Sequence, residues 1–140
     1  MNKIFVYGML KKHQPNFAII KSGVFCGVGR LDKSYEFRMV SMGSFPALIP
    51  SGKNSPQEII GEIWSVNDES FKNVDCLEGY PTFYEREQFT ILDSADKKHT
   101  CWAYFIPDDL STKELTSVDN GTWYGYEDSA YGVGGMDYSA

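Results

Sequence analysis

The chain has 140 residues, 42% of them hydrophobic and 23% charged, the balance of one folded domain and not of a disordered segment. Its net charge of -6 comes without a basic stripe, which argues against nucleic acid as a partner. The three cysteines are scattered and odd in number, which disfavours a disulfide framework or thiolate metal site. His13 and His99 are far apart and flanked by lysines, so no metal is expected.

Met1 to Val6 lack the apolar run of a signal peptide, and no stretch approaches ~18 apolar residues. A cytoplasmic setting with no membrane contact is therefore expected. Lys3 to Tyr7 has the β-branched and aromatic content of a short buried strand, ended by Gly8. A turn-like passage over 8–16 follows, then a short helix over Phe17 to Lys21 with Asn16 as its cap. Val24 to Leu31 is a strand that Gly27 and Gly29 bend or bulge. Tyr35 to Val40 is another strand, and 44–50 is a proline-bracketed extended segment. Residues 51–57 carry turn chemistry throughout.

Ile59 to Val66 is a strand. Asn67 or Asp68 then caps a helix whose apolar residues Phe71, Val74 and Leu77 recur every three positions, and Gly79 and Pro81 stop it. Phe83 to Leu92 alternates as a strand should, 93–98 is a polar turn, and Thr100 to Ile106 is the returning hairpin arm. Periodicity disappears over 107–140, an irregular tail rich in Gly, Tyr, Asp and Ser. About six strands and two helices result from this pattern. The fold class is α+β, a small mixed β-barrel with a few flanking helices, in one domain over 1–140.

Two segments have the means for chemistry. A glycine straight after a buried strand lets the main chain of Tyr7-Gly8-Met9-Leu10 turn its N–H groups towards one point, a concavity suited to a carboxylate or phosphate. The second glycine and the G-K-[ST] ending of a P-loop are missing. Glu78 stands in the last turn of the expected helix, where the dipole disfavours a carboxylate. If shielded from water it would have the raised pKa that proton transfer near neutrality requires. The spacing alone favours a Glu78 that points into solvent. Most of the aromatic set Tyr80, Phe83, Tyr84, Trp102, Tyr104, Trp123, Tyr124 and Tyr126 belongs to the core, with one or two tyrosines free to hold a polar ligand. No Ser or Cys has a nucleophile-elbow context.

Together these residues resemble the γ-glutamyl cyclotransferase-like superfamily. The resemblance runs through Lys3 to Asn16 (usually V-Y-G-T-L-K), Gly43 to Ala47, Ile60 to Val66 and Val74 to Arg86, in matching order over roughly residues 3–105. The stretch Leu10 to Asn16 and the late Tyr126-Glu127-Asp128-Ser129 are most similar to the γ-glutamylamine cyclotransferase branch. The resemblance implies a small β-barrel, a Tyr7 to Leu10 loop that holds the glutamyl end of the substrate, and Glu78 as catalytic acid/base. Pro46, Tyr84 and Tyr126 join the loop as substrate-binding residues. The implied partner is a small γ-glutamyl compound, converted to 5-oxoproline and a free amine without a cofactor. Met9 stands where the family usually has threonine. Binding through main-chain N–H groups tolerates that change, whereas a contribution from the hydroxyl is lost.

Overall fold

The computed structural model describes residues 1–107, 116–118 and 121–123. Its elements in order are β1 (Asn2–Val6), β2 (Val24–Leu31), β3 (Phe37–Ser41), β4 (Pro46–Pro50), β5 (Ile59–Val66), α1 (Asp68–Glu78), β6 (Glu85–Asp93), β7 (Lys98–Phe105) and β8 (Thr116–Ser117). Five strands form a closed barrel in the order β1-β5-β2-β6-β7. Its neighbours are antiparallel except at the seam, where β1 meets β7 in parallel with Ile4 opposite Trp102. The expected mixed barrel is therefore present. A second antiparallel sheet, β4-β3-β8, lies beside it. The two are joined where the Ile106 N–H donates to the Leu48 carbonyl at 2.9 Å.

Local sequence explains most of these elements. On β7 the residues His99, Cys101, Ala103 and Phe105 all face inward, the period of two that a barrel wall requires. On β1 consecutive residues Ile4 to Val6 are buried, so both faces of that strand are covered. Gly29 on β2 admits a close approach: a Cβ there would stand 2.6 Å from Ile91 Cγ2 and 2.9 Å from Ile63 Cδ1. The expected irregularity of β2 is a register shift between Phe25 and Gly27. Asn67 caps α1 by accepting the Ser70 N–H at 2.8 Å. Gly79 ends it in the left-handed region, φ 68° and ψ 32°, returning its N–H to the carbonyls of Asp75 and Cys76.

Two expectations are corrected. The short helix expected over Phe17 to Lys21 is a single 3-10 turn over Phe17–Ile19, and the Asn16 side chain makes no capping bond. Five residues between two turns are too few to offset helix nucleation. Residues 33–35 form another 3-10 turn, so the strand that follows begins at Phe37. Among the described residues, no helix is long and apolar enough to cross a membrane.

Candidate active site

The chain leaves β1 at Val6 and turns inward, so that Tyr7, Met9 and Leu10 have no exposed surface and Gly8 is buried with them. The turn is held by its carbonyls. Lys11 N–H donates to Gly8 O at 3.1 Å and Asn16 N–H to Met9 O at 2.9 Å. Among the described residues, the N–H groups of Gly8, Met9 and Leu10 meet no acceptor. That leaves them available to an anion.

Tyr7 ties this turn to both sheets. Its hydroxyl donates to the Tyr104 carbonyl on β7 at 2.7 Å and accepts the Leu48 N–H on β4 at 3.1 Å. Tyr84 is also buried, and its hydroxyl donates to the Pro46 carbonyl at 2.8 Å. Pro46 thus enters through its main chain at the start of β4, where it holds Tyr84.

Glu78 completes the group. It lies in the last turn of α1 with 0% exposure, contrary to the solvent-facing orientation favoured by spacing alone. The reason is tertiary: the buried end of α1 abuts the barrel, which one helix's periodicity does not reveal. Burial pushes the Tyr7 and Tyr84 hydroxyls well above their ordinary pKa, and the Glu78 carboxylate pushes both further. Tyr104 is raised by burial first, then by its bond to Asp75, and again by Glu78. One carboxylate thus acts on three buried phenols, all of which stay protonated donors.

Sequence reasoning missed a group one helical turn before Glu78. Asp75 Oδ1 accepts Arg86 Nε at 2.8 Å and the Tyr104 hydroxyl at 2.5 Å, while Oδ2 accepts Arg86 Nη2 at 3.3 Å. The Arg86 guanidinium carbon stands 4.4 Å from the ring centres of Tyr80 and Trp102 and 4.6 Å from that of Phe71. The available signal was the spacing of Asp75 and Glu78 on one helix face. Nothing local pointed to Arg86 as the partner.

On the far side of the turn the half-buried Lys11 ammonium donates to the Trp123 carbonyl at 2.5 Å. Burial pushes Lys11 below its ordinary pKa against the opposing pull of Glu62. Glu62 also accepts the Lys12 N–H at 2.8 Å and Trp64 Nε1 at 3.1 Å. Of the expected site residues, Tyr7, Gly8, Met9, Leu10, Pro46, Glu78 and Tyr84 are brought into one buried region, while Tyr126 lies outside the described residues.

Known proteins share this arrangement of chain. A family model described as "Gamma-glutamyl cyclotransferase, AIG2-like" matches residues 4–125. A relative from Methanocaldococcus jannaschii, provisionally named a gamma-glutamylcyclotransferase, is 32% identical over 77% of this chain and 87% of its own. Gamma-glutamylaminecyclotransferase B of Danio rerio is 30% identical over 91% of this chain and 75% of its own. The crystal structure of an AIG2-like protein from Mus musculus superposes with a TM-score of 0.71 at 23% identity, covering 86% of this chain and 87% of that one.

Proposed function

The chain belongs to the gamma-glutamyl cyclotransferase, AIG2-like family, and from that premise we propose that it converts a γ-glutamyl amine, such as a γ-glutamyl-lysine isopeptide, to 5-oxoproline and the free amine. The observation that carries this reading is Glu78, a carboxyl with no exposed surface beside three buried tyrosines and the Tyr7 to Leu10 turn.

The reaction is an internal aminolysis. The substrate's α-amine attacks its own γ-carbonyl carbon, a C–N bond closes the five-membered lactam, and the original amide C–N bond breaks. The nucleophile is tethered, so much of the orientational cost is already met within the substrate. Water is not consumed and no electrons are exchanged. What remains is to take a proton from the α-ammonium and deliver one to the leaving nitrogen. A single carboxylate does both in turn: Glu78 accepts the first proton and donates it to the departing amine. Its burial shields that exchange from bulk water. The N–H groups of Gly8, Met9 and Leu10 hold the α-carboxylate, which fixes the amine on the Glu78 side.

The choice of a γ-glutamyl amine is supported by the Danio rerio relative, which is matched over 91% of this chain. Met9 favours a second reading, a binding module of the same fold, because it brings a buried thioether where the family usually has a hydroxyl. Incubation with a panel of γ-glutamyl-lysine, other γ-glutamyl amines, γ-glutamyl dipeptides and glutathione separates the two, with 5-oxoproline detected by mass. Release from γ-glutamyl-lysine is expected, and Glu78→Gln lowers its rate at least ~10²-fold with the fold retained. Parent-level turnover by Glu78→Gln would remove Glu78 from the mechanism. Binding without release from any member of the panel would leave the module.

A further inference from the structure

An ion pair in an aromatic box is a poor device for stability alone. Asp75 and Arg86 side chains are 22% and 17% exposed, so both lose most of their hydration. Such pairs return little net energy against apolar residues of the same shape. What this one has is geometry. Four parts of the chain converge on it: α1 through Phe71 and Asp75, the following turn through Tyr80, β6 through Arg86, and β7 through Trp102 and Tyr104. Arg86 and Tyr104 are directly opposed in the β6–β7 ladder, so the donors that reach Asp75 come from one rigid cross-strand pair. Asp75 is also bound through its main chain, its carbonyl accepting the N–H groups of Gly79 and Tyr80.

We propose that Arg86 and Asp75 are positioning residues for Glu78. Their bidentate pair, completed by the Tyr104 hydroxyl, locks the last turn of α1 onto the β6–β7 hairpin. Glu78 is three residues after Asp75 and shares its helix face. Tyr104 joins the lock to the site, since its hydroxyl grips Asp75 while its carbonyl receives the Tyr7 hydroxyl. A shift of the helix end therefore moves the carboxylate relative to the phenols. An arginine is required because the guanidinium donates to Asp75 through two N–H groups while its carbon lies 4.4–4.6 Å from three ring centres. A lysine supplies the charge but neither the fork nor the plane.

This inference rests on Glu78 being the proton carrier, and the test keeps the two apart. The variants are Arg86→Lys, Asp75→Asn and Tyr104→Phe, the last removing one hydroxyl only. Two quantities are read: kcat and KM with γ-glutamyl-lysine, and the titration midpoint of the Glu78 carboxyl by carbon-13 NMR, assigned by its loss in Glu78→Gln. Arg86→Lys and Asp75→Asn are expected to lower kcat on the order of 10²-fold with KM little changed, the scale of a small misplacement of a catalytic group. Their Glu78 midpoint departs from that of the parent, and Tyr104→Phe gives a smaller shift in the same direction. A merely structural role would lower the melting temperature and leave kcat of the folded fraction and the Glu78 midpoint as in the parent; that result overturns the proposal. Should Arg86→Lys fail to fold, Asp75→Asn and Tyr104→Phe decide it. A parent that releases no 5-oxoproline sinks the catalytic reading instead, and the Glu78 midpoint still reports whether the lock holds the carboxyl in place.

Discussion

Met9 has no exposed surface, so its thioether packs into the core while its N–H meets no acceptor among the described residues. The side chain and the main chain of the turn therefore answer to different tests. Met9→Thr removes buried volume and costs roughly 2 kcal/mol of stability, a typical large-to-small loss, but leaves the main-chain donors where they are. Gly8→Val crowds a buried turn and restricts φ, so it disturbs the donors themselves. Calorimetric titration with 5-oxoproline should show near-parental affinity for Met9→Thr and a loss of at least ~10-fold, about 1.4 kcal/mol, for Gly8→Val. A folded Gly8→Val protein with parental affinity would mean that main-chain N–H groups do not hold the carboxylate. The position of this turn was readable from a glycine after a buried strand. The hidden part was the direction of Glu78, because a helix with one apolar stripe shows which side is buried along its length but not where its last turn meets a barrel.

At the scale of elements, the β6–β7 hairpin is fastened at its tip as well as at Asp75. Asp93 Oδ1 accepts the N–H groups of Ala95 and Lys97, each at 2.9 Å, and Oδ2 takes His99 Nε2 at 2.8 Å. Lys3 Nζ reaches the other ring nitrogen, Nδ1, at 3.0 Å from β1, which ties the hairpin to the strand across the seam. The bond from His99 comes first in holding the Asp93 carboxyl below its ordinary value of 3.8, followed by the main-chain bond from Lys97. A carboxyl with a lower pKa folded than unfolded stabilises the fold above the unfolded value, and that contribution disappears as pH falls through the folded one. Asp93→Asn should therefore melt below the parent at neutral pH, with the gap closing under acid. A gap that stays constant from pH 7 to pH 2 would exclude this linkage. Sequence periodicity located β2 and β5 end to end and found the cap and stop of α1, since those are local signals. It did not group β3, β4 and β8 into a separate sheet, because strand partners far apart in the chain leave no mark on either strand's own pattern. The ion pair of Asp75 and Arg86 was hidden for the same reason.

At the scale of the whole molecule, the late described segments are drawn back onto the second sheet and the glycine turn. The Val118 N–H donates to Met39 O at 2.9 Å, Gln57 Nε2 donates to Val118 O at 3.1 Å, and Lys11 holds the Trp123 carbonyl. Gly121 allows this return: its φ is 60°, and a Cβ there would collide with the Glu58 carbonyl. Gly121→Ala should cost on the order of 1–3 kcal/mol, expose Trp123 and red-shift the tryptophan emission. An unchanged melting temperature and spectrum would show that this anchorage is not needed. The parallel seam has a further consequence for how the protein is made. β1 leaves the ribosome before the other strands, yet its two neighbours are β5, Ile59–Val66, and β7, Lys98–Phe105. Until Ile59–Val66 emerges, the apolar strand that leads into the glycine turn has no partner on either edge. The barrel closes only when β7 emerges, so a nascent chain stalled before Lys98 carries an unpaired Ile4-Phe5-Val6 edge, open to chaperones or to the same strand of a neighbouring nascent chain.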